Sequence, residues 1–318
     1  GLEGRVAVVT GGGGVLCGAM SRALGRVGVK VAVLDLVLEA AQASVGTDET
    51  PFTVNLIGDA TLTVRAKTGI YVDSFDTVSD NNSTIYVGTM YVATGPIYLN
   101  SEDSIVDGFD NNFENIRTRE LVLNAITGGI GEPGDYLDIN ILGTTPLIAT
   151  AAGDIRIAET DGNMYVQQVI SETGDVDLKA HQSILDANED IAVDVIGNTI
   201  SLTADVGGIG VSGNDLDIDS AHSGPGVLKA SGNLGNIYII EPDGDLQLGR
   251  LETGDNYTAF ITVPMGSIFN GLTGDGSNLV SGKAYLIAKD HIGQESANIR
   301  TEVGNLEGIA MYAYDQPI

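Results

Sequence analysis

From residue 47 onward, apolar and polar side chains alternate in runs of four to six positions, each closed by Gly, Asp or Asn. Ile155-Arg-Ile-Ala158, Met164-Tyr-Val166, Val176-Asp-Leu-Lys-Ala180, Ile191-Ala-Val-Asp-Val195 and Ile237-Tyr-Ile-Ile240 are typical. A period of two puts Ile, Val and Leu on one face of a strand and Asp, Lys, Arg, Tyr and Thr on the other. Turn residues return about every 10 positions, so the pattern predicts many short strands. The first 45 residues read differently. Arg5-Val-Ala-Val-Val-Thr10 has the β-branched character of a buried parallel strand, and Gly11 to Gly14 follow it at once. Leu16, Met20, Leu24 and Val27 recur at helical spacing, and Lys30-Val-Ala-Val-Leu-Asp35 is a second apolar strand. This segment is expected to be βαβ.

The strand-rich part repeats itself, which is the first test for an array fold. Gly129-Ile-Gly131 returns as Gly208-Ile-Gly210 and again, after a nearly equal interval, as His291-Ile-Gly293. Upstream stand Leu121-Val-Leu-Asn-Ala125, Ile200-Ser-Leu-Thr-Ala204 and Tyr285-Leu-Ile-Ala288, and before them Ser104-Ile105, Ser183-Ile184 and Ser267-Ile268. Downstream, Tyr136-Leu-Asp-Ile139 matches Asp215-Leu-Asp-Ile218, and Glu172-Thr-Gly-Asp175 matches Glu252-Thr-Gly-Asp255. Matches in one order and at one offset imply a duplicated unit of about 80 residues. A sandwich, a propeller or a β-solenoid would satisfy many short strands. Narrow aliphatic strands with Gly, Asn and Asp at their turns favour coils stacked in parallel. The expected fold is therefore mainly β, a parallel β-helix over 46–318, with a βαβ-like segment over 1–45 that serves as a cap or a fusion. At four rungs of about 20 residues per unit, the region makes roughly 12–14 rungs and a rod on the order of 60 Å long.

Composition sharpens this division. The chain of 318 residues has 43 acidic and 15 basic side chains, a net charge of −28, with no Trp and one Cys. Residues 1–43 carry +1, so the remainder carries −29. Such a charge repels nucleic acid and anionic lipid, and neither is expected as a partner. No apolar run approaches the roughly 20 residues of a membrane span. Cys17 alone excludes a disulfide framework. Aromatics at 5% fit a core of stacked aliphatic side chains.

Residues 2–43 resemble the opening of short-chain dehydrogenases/reductases through Val6-Ala-Val-Val-Thr-Gly-Gly-Gly-Gly-Val-Leu-Cys-Gly-Ala19 and Val31-Ala-Val-Leu-Asp35. The family's Thr-Gly-x-x-x-Gly-x-Gly is met at Thr10 and Gly11, while Val15 and Cys17 stand at the later glycine positions. The resemblance implies a pyrophosphate over Gly11 to Gly18 and a ribose on Asp35. The family's Tyr-x-x-x-Lys occurs only as Tyr285 and Lys289, inside a repeated strand where the two sit about 13 Å apart. Residues 47–318 resemble the repeat arrays of giant bacterial surface proteins of the filamentous-haemagglutinin-like kind. The carrying segments are Glu172-Thr-Gly-Asp-Val-Asp-Leu-Lys-Ala180, Gln182-Ser-Ile-Leu-Asp-Ala187 and Thr199-Ile-Ser-Leu-Thr-Ala-Asp-Val-Gly-Gly-Ile-Gly210. This likeness implies an extracellular or cell-surface location and a structural or adhesive role.

Acids and asparagines crowd several turns: Asp80-Asn-Asn82, Asp110-Asn-Asn112, Asp186 to Asp190 and Asp243-Gly-Asp245. None forms an EF-hand loop, so they read as solvated corners, with calcium left open as a ligand. Asp175 with Asp177, and Asp215 with Asp217 and Asp219, are the carboxylate sets a polysaccharide-cleaving β-helix enzyme would use. Their membership of the repeat argues against that. His181, His222 and His291 lack ligand spacing and read as surface residues, and Cys17 reads as a packing residue. No residue is assigned a catalytic, cofactor-binding or metal-binding role. The expected function is a non-enzymatic extracellular structural or adhesive repeat protein, a segment of a longer chain or a filament subunit. Its partners would be further copies of itself, end to end or laterally, or cell-surface and matrix ligands. The chain stops in mid-unit, which fits either continuation or stacking. The alternative is an NAD(P)-dependent oxidoreductase of the short-chain kind, with NAD(P) as its cofactor.

Overall fold

The structure, a computed structural model, describes residues 6–10, 30–34, 37–40, 43–56, 59–75, 83–109 and 111–310, the first three segments by backbone alone. Val6–Thr10 and Lys30–Leu34 are strands, paired in parallel with Val6 opposite Lys30 and Thr10 opposite Leu34. They form a two-stranded sheet of their own. The expected helix between them, the glycines Gly11 to Gly18, Cys17 and Asp35 lie outside the described residues. The ladder that makes up the rest takes in Val37–Ala40, which pairs with Thr61–Ala66. It thus includes residues that precede the break in composition.

The remaining strands form a parallel β-solenoid of about 11 turns. Among the described residues there is no helix. Each strand pairs not with the next in sequence but, as a rule, with the one after it. Leu121–Ala125 lies beside Leu147–Ala151, and Ile155–Glu159 beside Val176–Ala180. Strands therefore alternate between two faces, and the length of chain in one turn varies. A short turn runs from Leu228 to its ladder partner Leu248, and a long one from Ile200 to Leu228. Period-two patterning sets the register. In Val176–Ala180 the residues Val176, Leu178 and Ala180 are buried while Asp177 and Lys179 face outward. A slip of one residue would put both charges in the core. Equivalent residues stack turn on turn. Ile105, Ile130, Ile155, Val176 and Ile200 form one continuous buried column. Outside, the same spacing stacks flat rings, and Tyr238, Phe260 and Tyr285 lie with centroids 4.7 Å apart.

The sequence repeat is not four even rungs. Ile130 connects through Ile155 and Val176 to Ile200 on one face, and its repeat equivalent Ile209 sits on the opposite face between Ile184 and Ile237. The unit is three and a half turns. Successive copies consequently face opposite sides, as if related by a two-fold screw. The even count fails because some turns carry excursions that lengthen them without adding a rung.

Two excursions recur in each unit, on neighbouring turns of one face. The first leaves between Ile105–Asp107 and Ile116–Thr118, and its equivalent between Ile184–Asp186 and Val195–Ile196. Ile191-Ala-Val-Asp-Val195, which alternates like a strand, is mostly this excursion: Ile191 is 91% exposed, and Asp190 Oδ1 accepts the amide of Ala192 to make a turn. The second excursion follows each Gly-Ile-Gly triplet. Glu132 and Asp135 exchange backbone hydrogen bonds, as do Val211 with Asn214 and Gln294 with Ala297. Gly131, Gly210 and Gly293 open these loops at φ of 69°, 61° and 77°. A fourth copy is visible only in the structure: Val45 pairs with Ile70, Gly46 has φ 70°, and Thr47 and Thr50 exchange the same two bonds.

The glycine is required twice over at Gly210. A side chain there is strained by the left-handed backbone, at about 1–2 kcal/mol, and its Cβ would meet the carbonyl oxygen of Tyr238 on the next turn. Gly210→Ala is expected to lower the urea midpoint by an amount equal to roughly 2–3 kcal/mol of stability. An unchanged midpoint would show that the loop relaxes freely.

Candidate functional site

The two excursions of a unit leave from adjacent turns, so the residues at their roots face one another. In the second repeat these are Asp186, Asp194 and Asp217. Asp186 ends its strand before the excursion, Asp194 re-enters the rung after it, and Asp217 lies in Leu216–Asp219 on the next turn. All three are buried, and one oxygen from each lies within 4.8 Å of the others. Backbone bonds hold the group: Asp217 N donates to Asp194 Oδ2 at 3.0 Å, and Asn188 N to Asp186 Oδ1 at 2.6 Å. Burial pushes the Asp194 carboxyl up, and the facing Asp186 and Asp217 add to it. Burial likewise raises Asp186, and it raises Asp217 to about 6. Three carboxylates so placed repel one another unless a positive charge or a proton joins them.

The first repeat has Asp107, Asn115 and Asp138 at these positions. Asn115 Nδ2 donates to Asp107 Oδ1 at 2.6 Å and to the carbonyls of Val87 and Gly88, both at 3.3 Å, while Asp138 N donates to Asn115 Oδ1 at 3.0 Å. Asp138 is raised to about 6, by burial first and then by Asp107 and Asp135. The third repeat has Asn270, Asn278 and Arg300, with the same amide pattern: Asn278 Nδ2 donates to Leu248 O at 2.7 Å, Gly249 O at 3.3 Å and Asn270 Oδ1 at 2.8 Å.

Other residues singled out in the sequence fall elsewhere. Asp215 and Asp219 do not join Asp217; Asp219 instead accepts the amide of Ala221 and faces His222 at 3.5 Å. Asp175 Oδ1 accepts Thr199 N at 2.8 Å, and Asp177 accepts the hydroxyl of Tyr136 at 2.5 Å, with Lys179 above that ring at 3.7 Å. Asp245 accepts Ser267 N at 2.8 Å across a turn. Asp175, Asp219 and Asp245 are thus corner acids satisfied by a neighbouring amide, and Asp177 is a strand residue held by Tyr136. Asp80-Asn-Asn82 and Asp110 lie outside the described residues, while Asn111 makes a local turn with Phe113 N. Tyr285 lies in Leu279–Ala288 with its ring on Phe260, and Lys289 lies past the strand end, exposed. His181, His222 and His291 are exposed. Asp194 does not stand out in the sequence, because its repeat equivalents are asparagines; aligning the copies on their Gly-Ile-Gly triplets would find it.

Two further buried acids mark a second recurring device. Glu159 receives Ile141 N at 2.8 Å, and Glu241 receives Ser220 N at 3.2 Å and Ser220 Oγ at 2.7 Å. Each carboxyl caps the backbone where the preceding rung leaves its ladder.

Comparison with known proteins adds little to this picture. No family profile matches the chain, and no solved structure matches it. One stretch of 44 residues is 57% identical to an uncharacterized oxidoreductase, UxuB, of Bacillus subtilis (strain 168). The stretch is 14% of this chain and 16% of that protein, so the chain spans about a sixth of the relative it matches.

Proposed function

We propose that the protein is a non-enzymatic structural or adhesive repeat protein of the cell exterior, a segment of a longer chain or a subunit of a filament. The observation that carries this reading is that the polar features of the solenoid recur with the repeat. Excursions and the root positions that flank them return with the repeat, although the side chains at those roots differ from copy to copy. Among the described residues the strand Thr301–Ala310 pairs with Leu279–Ala288 alone and is exposed over most of its length, which suits association through a sheet edge. Partners under this reading are further copies or surface and matrix ligands.

Electron microscopy of the purified chain tests it. Rods or fibres are expected, and compact tetramers would overturn the reading. The alternative, an NAD(P)-dependent oxidoreductase, is favoured by the parallel pair Val6–Thr10 and Lys30–Leu34 and by the short likeness to UxuB. A dinucleotide lies across two βαβ halves, and the matched stretch is about the length of one. Titration with NADH and NADPH followed by nicotinamide fluorescence is expected to show no micromolar binding. Micromolar affinity would reverse the choice.

A further inference from the structure

We infer that copies of this chain associate side by side, a basic notch on the first repeat of one copy receiving the acidic tip of the second repeat's first excursion on its neighbour. The inference rests on the reading as a structural repeat protein and names the partner as a second copy. One departure from the repeat carries it. On three successive turns Arg65, Tyr91 and Arg117 stand in one column, Arg65 opposite Tyr91 and Tyr91 opposite Arg117. The same positions are Thr150, Ile170 and Ile196 in the second repeat, and Ser231, Glu252 and Val280 in the third. Neither of those columns holds a cation.

The column lines an open notch of about 460 Å³, with Glu114 also in its lining. Lys67 and Arg119, two residues further along the same turns, are exposed. Part of this charge is offset by Glu114, 3.3 Å from Arg117, and by Glu39, opposite Arg65 in register. The Glu114 pair is solvent-exposed, so it holds Arg117 weakly. Two arginines two rungs apart, about 9.6 Å, can each take a separate carboxylate through a forked pair of N–H donors. On a chain of net charge −28 such a cluster inverts the local sign, and the commonest anionic surface it meets is another copy.

The matching surface is the tip of the excursion between Ile184–Asp186 and Val195–Ile196. Glu189, Asp190 and Ile191 are all exposed there, and no Lys or Arg lies between Lys179 and Lys229 to neutralise them. Apolar groups match as well. Ile191 is 91% exposed, while Phe113, beside Glu114 on the notch's own excursion, is 79% exposed and Tyr91 40%. Aromatic and arginine side chains of this kind anchor protein interfaces. The two surfaces lie on opposite faces, because Ile105 stacks in the column of Ile130 and Ile155, and Ile184 in that of Ile209 and Ile237. A contact between unlike surfaces on opposite faces adds copies in an open row and closes no dimer. With three and a half turns between successive excursions, neighbours are displaced along the rod by about 17 Å.

The test is sedimentation velocity of the whole chain at about 0.1 mM, where weak contacts assemble, in sodium chloride of about 0.05 M and about 0.5 M. Oligomers are expected at low salt and monomers at high salt, where exposed charges are screened. Arg65→Glu with Arg117→Glu should weaken association about tenfold or more, because the notch then repels the tip. Glu189→Lys with Asp190→Asn should do the same while an Asn oxygen still accepts the amide of Ala192. An equal mixture of the two variants should associate again, since each reversed notch then meets a reversed tip. A parent that stays monomeric at low salt overturns the contact and leaves the notch to another anionic ligand. Oligomers indifferent to salt and to both variants, or a mixture of folded variants that stays monomeric, overturn it too. The structural reading falls separately, if electron microscopy of the parent shows compact tetramers in place of rods.

Discussion

Exchanging Ile155 for aspartate is expected to open the middle of the solenoid while leaving its ends folded. Ile155 is fully buried and stacks between Ile130 and Val176 in the interior column. Truncating such a residue to alanine costs about 2–5 kcal/mol. An aspartate adds the cost of a carboxylate among Ile, Val and Leu side chains with no donor in reach, which exceeds the alanine loss. Total stabilities are of the order of 5–15 kcal/mol, so a compact domain would unfold outright. A solenoid differs because each turn touches only its neighbours, and its stability is approximately a sum of turns and interfaces. Hydrogen exchange should therefore lose protection around residues 130–176 in Ile155→Asp. Thr61–Ala66 and Thr258–Val263 should keep theirs. Ile155→Ala should show the same pattern more weakly, with a lower urea midpoint. Uniform loss of protection along the whole ladder would mean that the turns fold as one cooperative unit.

The same column explains what was legible in the sequence. Alternation in Val176–Ala180 or Ile200–Ala204 fixes which residues face inward, because a strand has only two faces. Parallel stacking followed from the many short strands of one patterning closed by Gly, Asn and Asp, although the repeat copies themselves lie on opposite faces and do not pair with one another. The number of turns did not follow. Alternation says nothing of where a coil closes, and Gly108 to Asn115 or Gly131 to Tyr136 adds length without adding a rung. The copy at Val45-Gly46 escaped because Thr47-Asp48-Glu49-Thr50 shares no residue type with its equivalents beyond the acid, although the backbone bonds are the same. The site was hidden for a related reason. Asp194 is one atom from the asparagine of the other repeats, and its meaning depends on which oxygens face it, which is a property of neighbouring turns.

Raising the pH from about 5 to 9 is expected to destabilise the protein progressively, through the corner acids Glu241 and Glu159. Glu241 is fully buried, and burial raises its carboxyl from 4.5 to about 8 against the opposing effect of its bonds from Ser220, with Asp219 and Asp243 nearby adding to the rise. Glu159, 2% exposed, is raised by burial to about 7, against three backbone bonds and with Asp161 contributing. Both folded values lie above the unfolded value of 4.5, so the folded chain binds more protons in between and unfolding releases them. The stability these groups contribute is then complete below about 4.5 and is lost as pH climbs through 7 and 8. Each tenfold preference for the proton is worth about 1.4 kcal/mol, so Glu241 alone accounts for a few kcal/mol across that window. Glu241→Gln keeps a group that accepts the Ser220 bonds and cannot ionise. In chelator, its Tm should match the parent near pH 5 and exceed it by several degrees at pH 9, with Glu159→Gln showing a smaller gain over a window ending near 7. If the parent and both variants lose stability in parallel as the pH rises, other carboxyls carry the dependence and the two corners are already ionised in the folded chain.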